Sequence, residues 1–175
     1  RIYRNLGSHR EAREVLEGNL ELRIHELGPT HPEVASTHRA LGSLLGVMGD
    51  HQAAREHLER ALELDEANSG PNDTATAESL NDLAVVLWRN RDFDEAKPLF
   101  ERALVIRERE LGSDHPAVGD TLYMQAFLLR DLGDNDRARD GFLRALEIRE
   151  ASYGPDHTQV AWTLFNYGYL LAVLG

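Results

Sequence analysis

Glycines at positions 28, 70, 112 and 154 stand at one constant interval of 42 residues. Each lies in a comparable local text: "ELGPTHPEVAST", "NSGPNDTATAES", "ELGSDHPAVGDT" and "SYGPDHTQVAWT". Chance placement of 14 glycines in 175 residues does not keep that register. A fixed period in this range marks a repeat array, in which each unit buries its apolar face on its neighbours. Few other folds survive that constraint.

Within the unit 70–111, Leu80, Leu83, Ala84 and Leu87 follow the i, i+3, i+4, i+7 spacing of one helix face. A polar break, "NRDFD", precedes a second apolar series at Ala96, Leu99, Phe100, Ala103, Leu104 and Ile106. This second helix is expected to end at Gly112, as a left-handed cap, and Pro98 reads as part of its first turn. The other units superimpose without gaps. One first-helix column reads His38, Leu80, Leu122, Leu164, and the next Leu41, Leu83, Gln125, Tyr167. A small residue follows each: Gly42, Ala84, Ala126, Gly168. The second helix repeats Ala12, Ala54, Ala96, Ala138, then Leu16, Leu58, Phe100, Phe142. Small residues thus recur where two helices must approach closely. The chain reads as one repeat domain over 1–175, with a partial repeat at 1–27, full repeats at 28–69, 70–111 and 112–153, and a partial repeat at 154–175. Arg1–Leu6 reads as the tail of a first helix and Gly175 as the end of another, as in a piece cut from a longer array.

"LNDLAVVL…AKPLF" and "LYMQAFLL…ARDGF" resemble the tetratricopeptide repeat, with its large-x2-L-G core and A-x3-F second helix. The usual unit has about 34 residues. The longer period and the "LGxxHPxVAxTL" junction are similar to the kinesin-light-chain type. The resemblance covers the whole chain. It implies an all-α, right-handed superhelical solenoid of antiparallel helix pairs, acting as a scaffold that holds a peptide or partner protein in its concave groove. The opening "RIYRNLGSHREAR", without the apolar stretch of a secretory signal, adds the expectation of a cytoplasmic protein.

Composition narrows the function classes. The net charge of −11 argues against nucleic acid or an anionic membrane as the main partner, since both need clustered Lys and Arg. With no cysteine, there is no thiolate chemistry and no Cys-based metal site. No window reaches the ~18 apolar residues of a membrane span. His31, His115 and His157 sit at equivalent junctions, and neighbouring repeats lie too far apart for such residues to converge on one metal; they read as turn residues. Asp134 and Asp136 open a calcium-loop pattern that Ala138 and Arg139 break, so a helix cap near Asp136 is the better reading. No phosphate loop or nucleophile motif occurs. The expectation is a chain with no catalysis, metal or cofactor of its own.

The first-helix face opposite the core columns should line the groove. It comprises Ser36, Arg39, Ser43, Gly46 and Val47; Glu78, Asn81, Val85, Trp88 and Arg89; Asp120, Tyr123, Phe127, Arg130 and Asp131; and Trp162, Phe165, Tyr169, Ala172 and Val173. These positions hold six of the 12 aromatics, including both tryptophans. Arg39, Asn81, Trp88, Arg89, Tyr123, Phe127, Arg130, Trp162, Phe165 and Tyr169 are therefore the candidate peptide-binding residues. The aromatics would anchor the ligand, and its acidic groups would lie near Arg39, Arg89 and Arg130, with Arg4 at the N-terminal end. The alternative for these rings is burial against a neighbouring inner helix. The alternative functions are end-to-end stacking of copies through Leu164, Tyr167, Leu171 and Leu174, or a sensor segment of a larger regulatory protein.

Overall fold

The computed structural model describes the backbone of residues 2–174 and the side chains of residues 8–174. The expected first-helix tail Arg1–Leu6 does not stand apart: from residue 2 the backbone runs in one unbroken helix to Leu27, without the break of the later repeats. The Arg4 side chain and the expected helix end at Gly175 lie outside the described residues. The described residues form eight helices and no strand: α1 (Ile2–Leu27), α2 (Pro32–Met48), α3 (His51–Ser69), α4 (Thr74–Arg89), α5 (Phe93–Leu111), α6 (Pro116–Asp131), α7 (Asn135–Tyr153) and α8 (Thr158–Leu174). They fall into two compact units, α1–α4 over 1–92 and α5–α8 over 93–175. In each, successive helices pack antiparallel on one another.

The junctions explain the 42-residue register. Gly28, Gly70, Gly112 and Gly154 all have positive φ, between 84° and 98°. Each donates its N–H to the carbonyl four residues back, as Gly112 does to Glu108 at 3.1 Å. The next helix then starts on a side-chain cap. The Nδ1 atoms of His31, His115 and His157 accept the N–H of Glu33, Ala117 and Gln159, each at 3.2 Å. Where the histidine is missing, Asp73 accepts from Ala75 at 2.9 Å instead. The junction histidines are thus turn residues, as the spacing predicts, and Asp134 caps α7 by accepting from Arg137 at 3.3 Å.

One boundary differs from expectation. Helix α5 starts at Phe93, so Pro98 falls in its second turn and not its first. The exposed ring removes one backbone hydrogen bond there, which solvent can replace.

Paired helices interlock at the small-residue column. A Cβ on Gly42 would lie 2.5 Å from Leu58 Cγ and 3.0 Å from the Ala54 carbonyl, so α2 and α3 approach more closely than any side chain allows. In the second unit Ala126 packs in one cluster with Ala138 and Phe142. Gly46, expected in the groove, is instead buried: its missing side chain would meet Val86 Cγ2 at 2.8 Å, where α4 crosses α2.

His38 occupies a column held elsewhere by leucine. Its Nδ1 lies 2.9 Å from that of His57, so one neutral ring donates to the other. Burial, then the charges of His57 and Arg60, holds His38 down at about 4. Burial lowers His57 too, against the pull of Glu17 and Glu56, with Arg13 adding to the lowering. Folding therefore favours the neutral rings. Below the unfolded value of 6.5 the unfolded chain binds more protons, so stability present above that pH is lost as pH falls toward 4. We expect His38→Leu to flatten this loss, read as the urea midpoint between pH 7 and pH 4.5.

The inter-helix break inside each repeat also needs a left-handed residue. Gly49 (φ 85°) and Gly133 (φ 80°) supply it, but the equivalent position is Arg91, at φ 68°. Arg91→Gly should relieve about 1 kcal/mol of backbone strain and raise the urea midpoint.

Candidate functional site

A polar contact between each second helix and the following first helix sets the face that carries the candidate residues. Arg23 donates to Thr37, Arg107 to Thr121 and Arg149 to Thr163, each at 2.7 Å. The fourth member of the series is reversed: Asp65 accepts from Ser79 at 2.6 Å. The positions 23, 65, 107 and 149 share the 42-residue register, as do 37, 79, 121 and 163. Sequence reasoning missed this ladder because arginines near a helix end read as solvated. The signal was a hydroxyl in every repeat, 14 residues downstream of an ionisable residue.

In the first unit the reversal determines what Arg39 does. Asp65 is buried, and burial pushes its carboxyl upward against the Ser79 hydrogen bond and the Arg39 charge. Arg39 lies 3.5 Å from Asp65, 2.7 Å from Glu78, and donates to the Ala75 carbonyl at 3.2 Å. It is committed to its own chain. Asn81 is partly buried, with an Oδ1 that has no partner. Trp88 is half-buried and Arg89 exposed.

In the second unit the candidate rings divide into two groups. Tyr123 and Phe127 meet edge to face at 5.0 Å, and both abut the buried Phe142, at 5.8 and 5.2 Å. The Arg149 guanidinium lies 4.2 Å above Tyr123, and that of Arg130 lies 5.0 Å above Phe127. Asn166 donates to the Tyr123 hydroxyl at 2.9 Å, and burial raises that hydroxyl above its ordinary range. These two rings are half-buried, close to the alternative of burial against a neighbouring helix. By contrast, Trp162, Phe165 and Tyr169 on α8 are 58%, 64% and 56% exposed. Trp162 and Phe165 meet edge to face at 6.1 Å and, with Thr158 and Ala161, line an open hollow of about 380 Å³. Tyr169 borders a second hollow of about 590 Å³ with Leu170, Val173, Arg130, Gly133 and Asn135.

Of the expected cationic sites, Arg89 is exposed, whereas the other two are engaged within the chain. Arg130 pairs with Asp131 at 2.8 Å, and Arg39 is held as above. The core-column residues Leu164, Leu171 and Leu174 are 46%, 43% and 47% exposed on α8. No metal-binding cluster of three or more His, Asp or Glu occurs among the described residues, and none of their helices is long and apolar enough to cross a membrane.

The family model for the tetratricopeptide repeat matches residues 1–67, 37–104, 73–140 and 120–175, which together span the sequence. The chain belongs to the tetratricopeptide repeat family. Similar solved structures include BtubC (BKLC) from P. vanneervenii, with a TM-score of 0.82 and 24% identity over 98% of this chain and 68% of that one. A putative kinesin light chain with nearly identical repeats from Podosopora anserina gives 0.76 and 21%, over 98% and 82%. Apo RapI gives 0.74 and 18%, over 96% of this chain and 45% of its own. These likenesses place the fold among kinesin-light-chain-like repeat solenoids. No curated protein matches the sequence.

Proposed function

We propose that this repeat array is a protein-interaction scaffold, without catalysis of its own, that takes a peptide on the face carrying the candidate residues. The observation behind this is the cluster Trp162, Phe165 and Tyr169, three large rings each more than half exposed on one helix. Exposed apolar surface in soluble proteins is usually scattered, and contiguous aromatic patches mark recognition surfaces. Within the same unit Tyr123 and Phe127 lie half-buried on α6; in the other unit Asn81, Trp88 and Arg89 hold the same repeat register on α4. A cytoplasmic setting suits a cysteine-free scaffold.

The two groups of rings give separable outcomes. Trp162→Ala or Phe165→Ala should weaken binding of a selected peptide or partner about 30-fold, for a loss of ~2 kcal/mol, and leave the melting temperature unchanged. Phe127→Ala removes edge contacts to Phe142 and should lower the melting temperature by several degrees. Parental affinity in both α8 variants would move the contact surface elsewhere.

A second reading has support from Leu164, Leu171 and Leu174, the exposed leucines on α8: copies stacking end to end through this face. Sedimentation velocity at rising concentration should then show growing oligomers, and Leu171→Glu should abolish them. A monomer throughout removes this reading.

A further inference from the structure

The chemistry of the α8 face bears on the charge a partner would carry, given the groove reading above. Helix α8, Thr158–Leu174, carries no Asp, Glu, Lys, Arg or His. The cations around it are committed. Arg149 is 6% exposed and spends its guanidinium on Thr163, on Asp120 at 2.7 Å and on the Tyr123 ring. Arg130 spends its own on Asp131 and the Phe127 ring. A ligand carboxylate would meet no ready partner there.

The anions are more available. Asp120 holds on α6 the register position that Trp162 holds on α8, and its side chain remains 44% exposed although it accepts from Arg149. Asp156 is exposed in the turn leading into α8. Residues 93–175 contain nine Lys and Arg against fourteen Asp and Glu. The resulting field repels an acidic segment and attracts a basic one at ranges up to the Debye length, about 8 Å at physiological salt. The exposed faces of Trp162, Phe165 and Tyr169 add a further preference, since aromatic faces attract ammonium and guanidinium groups.

We propose that the occupant of the α8 face is a peptide with an apolar or aromatic anchor flanked by lysine or arginine. The anchor sits in the hollow of Thr158, Ala161, Trp162 and Phe165. The flanking cations lie over the rings and toward Asp120 and Asp156. This reverses the acidic ligand that Arg39, Arg89 and Arg130 suggest in sequence.

The probe is a random 12-residue peptide library displayed on phage and selected on the 175-residue chain. The best peptides are then remade with every flanking Lys or Arg changed to Ser or to Glu. Binding is followed by fluorescence anisotropy in 50 and 400 mM NaCl. We expect basic-flanked peptides to dominate and to bind at least 10-fold tighter than their Glu versions in 50 mM NaCl, with the gap shrinking in 400 mM. Trp162→Ala should weaken the basic and Ser versions alike. Glu versions binding as tightly as the parents, or enrichment of acidic flanks, overturns the charge assignment and leaves the groove reading intact. Peptides whose affinity ignores both Trp162→Ala and Phe165→Ala overturn both, as does a selection that returns no binder.

Discussion

The close approach of α2 to α3 at Gly42 is the constraint on which the first unit depends. With Leu58 filling the space where a Cβ would stand, the two backbones fit in direct van der Waals contact there. Ala54, Leu58 and Ala61 are fully buried on the partner helix, so one face of each helix is spent inside its own pair. What remains is a defined outer face on the first helix of each pair, and that face is where the candidate residues lie. The second unit reaches the same result with Ala126 against Phe142. The packing rule is common to both, but the side chains that satisfy it are not.

The hydroxyl ladder adds direction to this packing. A dispersion contact tolerates sliding by part of a turn, whereas a guanidinium meeting a threonine hydroxyl at 2.7 Å does not. The ladder therefore fixes the axial setting of each first helix against the helix before it. It also determines which of the candidate residues stay exposed. Arg149 draws Asp120 and the Tyr123 ring into the wall, leaving the rings of α8 as the accessible apolar surface.

Much of the architecture was legible because periodicity and punctuation agree. The glycines, the His-Pro caps and the alternation of small and large residues all point to one helix-pair unit. Boundaries slipped where local chemistry competes, as at Pro98, which reads as a helix start although the helix already runs from Phe93. The site was legible as a face and not as a set of roles. An angle of about 100° per residue assigns Arg39 and Phe165 to the same column, yet one is tied to Asp65 and Glu78 and the other is 64% exposed. Exposure depends on what the neighbouring helix contributes, and a single column carries no such information. Gly46 went wrong for the same reason, because the crossing by Val86 is a tertiary fact.

The reversed rung at Asp65 has a consequence for how such arrays change over time. A 42-residue block is an obvious unit for duplication or exchange, since its caps and core columns match those of its neighbours. Yet each rung crosses a block boundary, since Asp65 lies in 28–69 together with Arg39 while Ser79 lies in 70–111. A hydroxyl can donate to a carboxylate or accept from a guanidinium, so a whole block that carries both Asp65 and Arg39 meets a usable partner wherever it is placed. A cut between residues 39 and 65 would instead part the buried carboxylate from its counter-charge. The heritable unit is the block cut at its junction glycines.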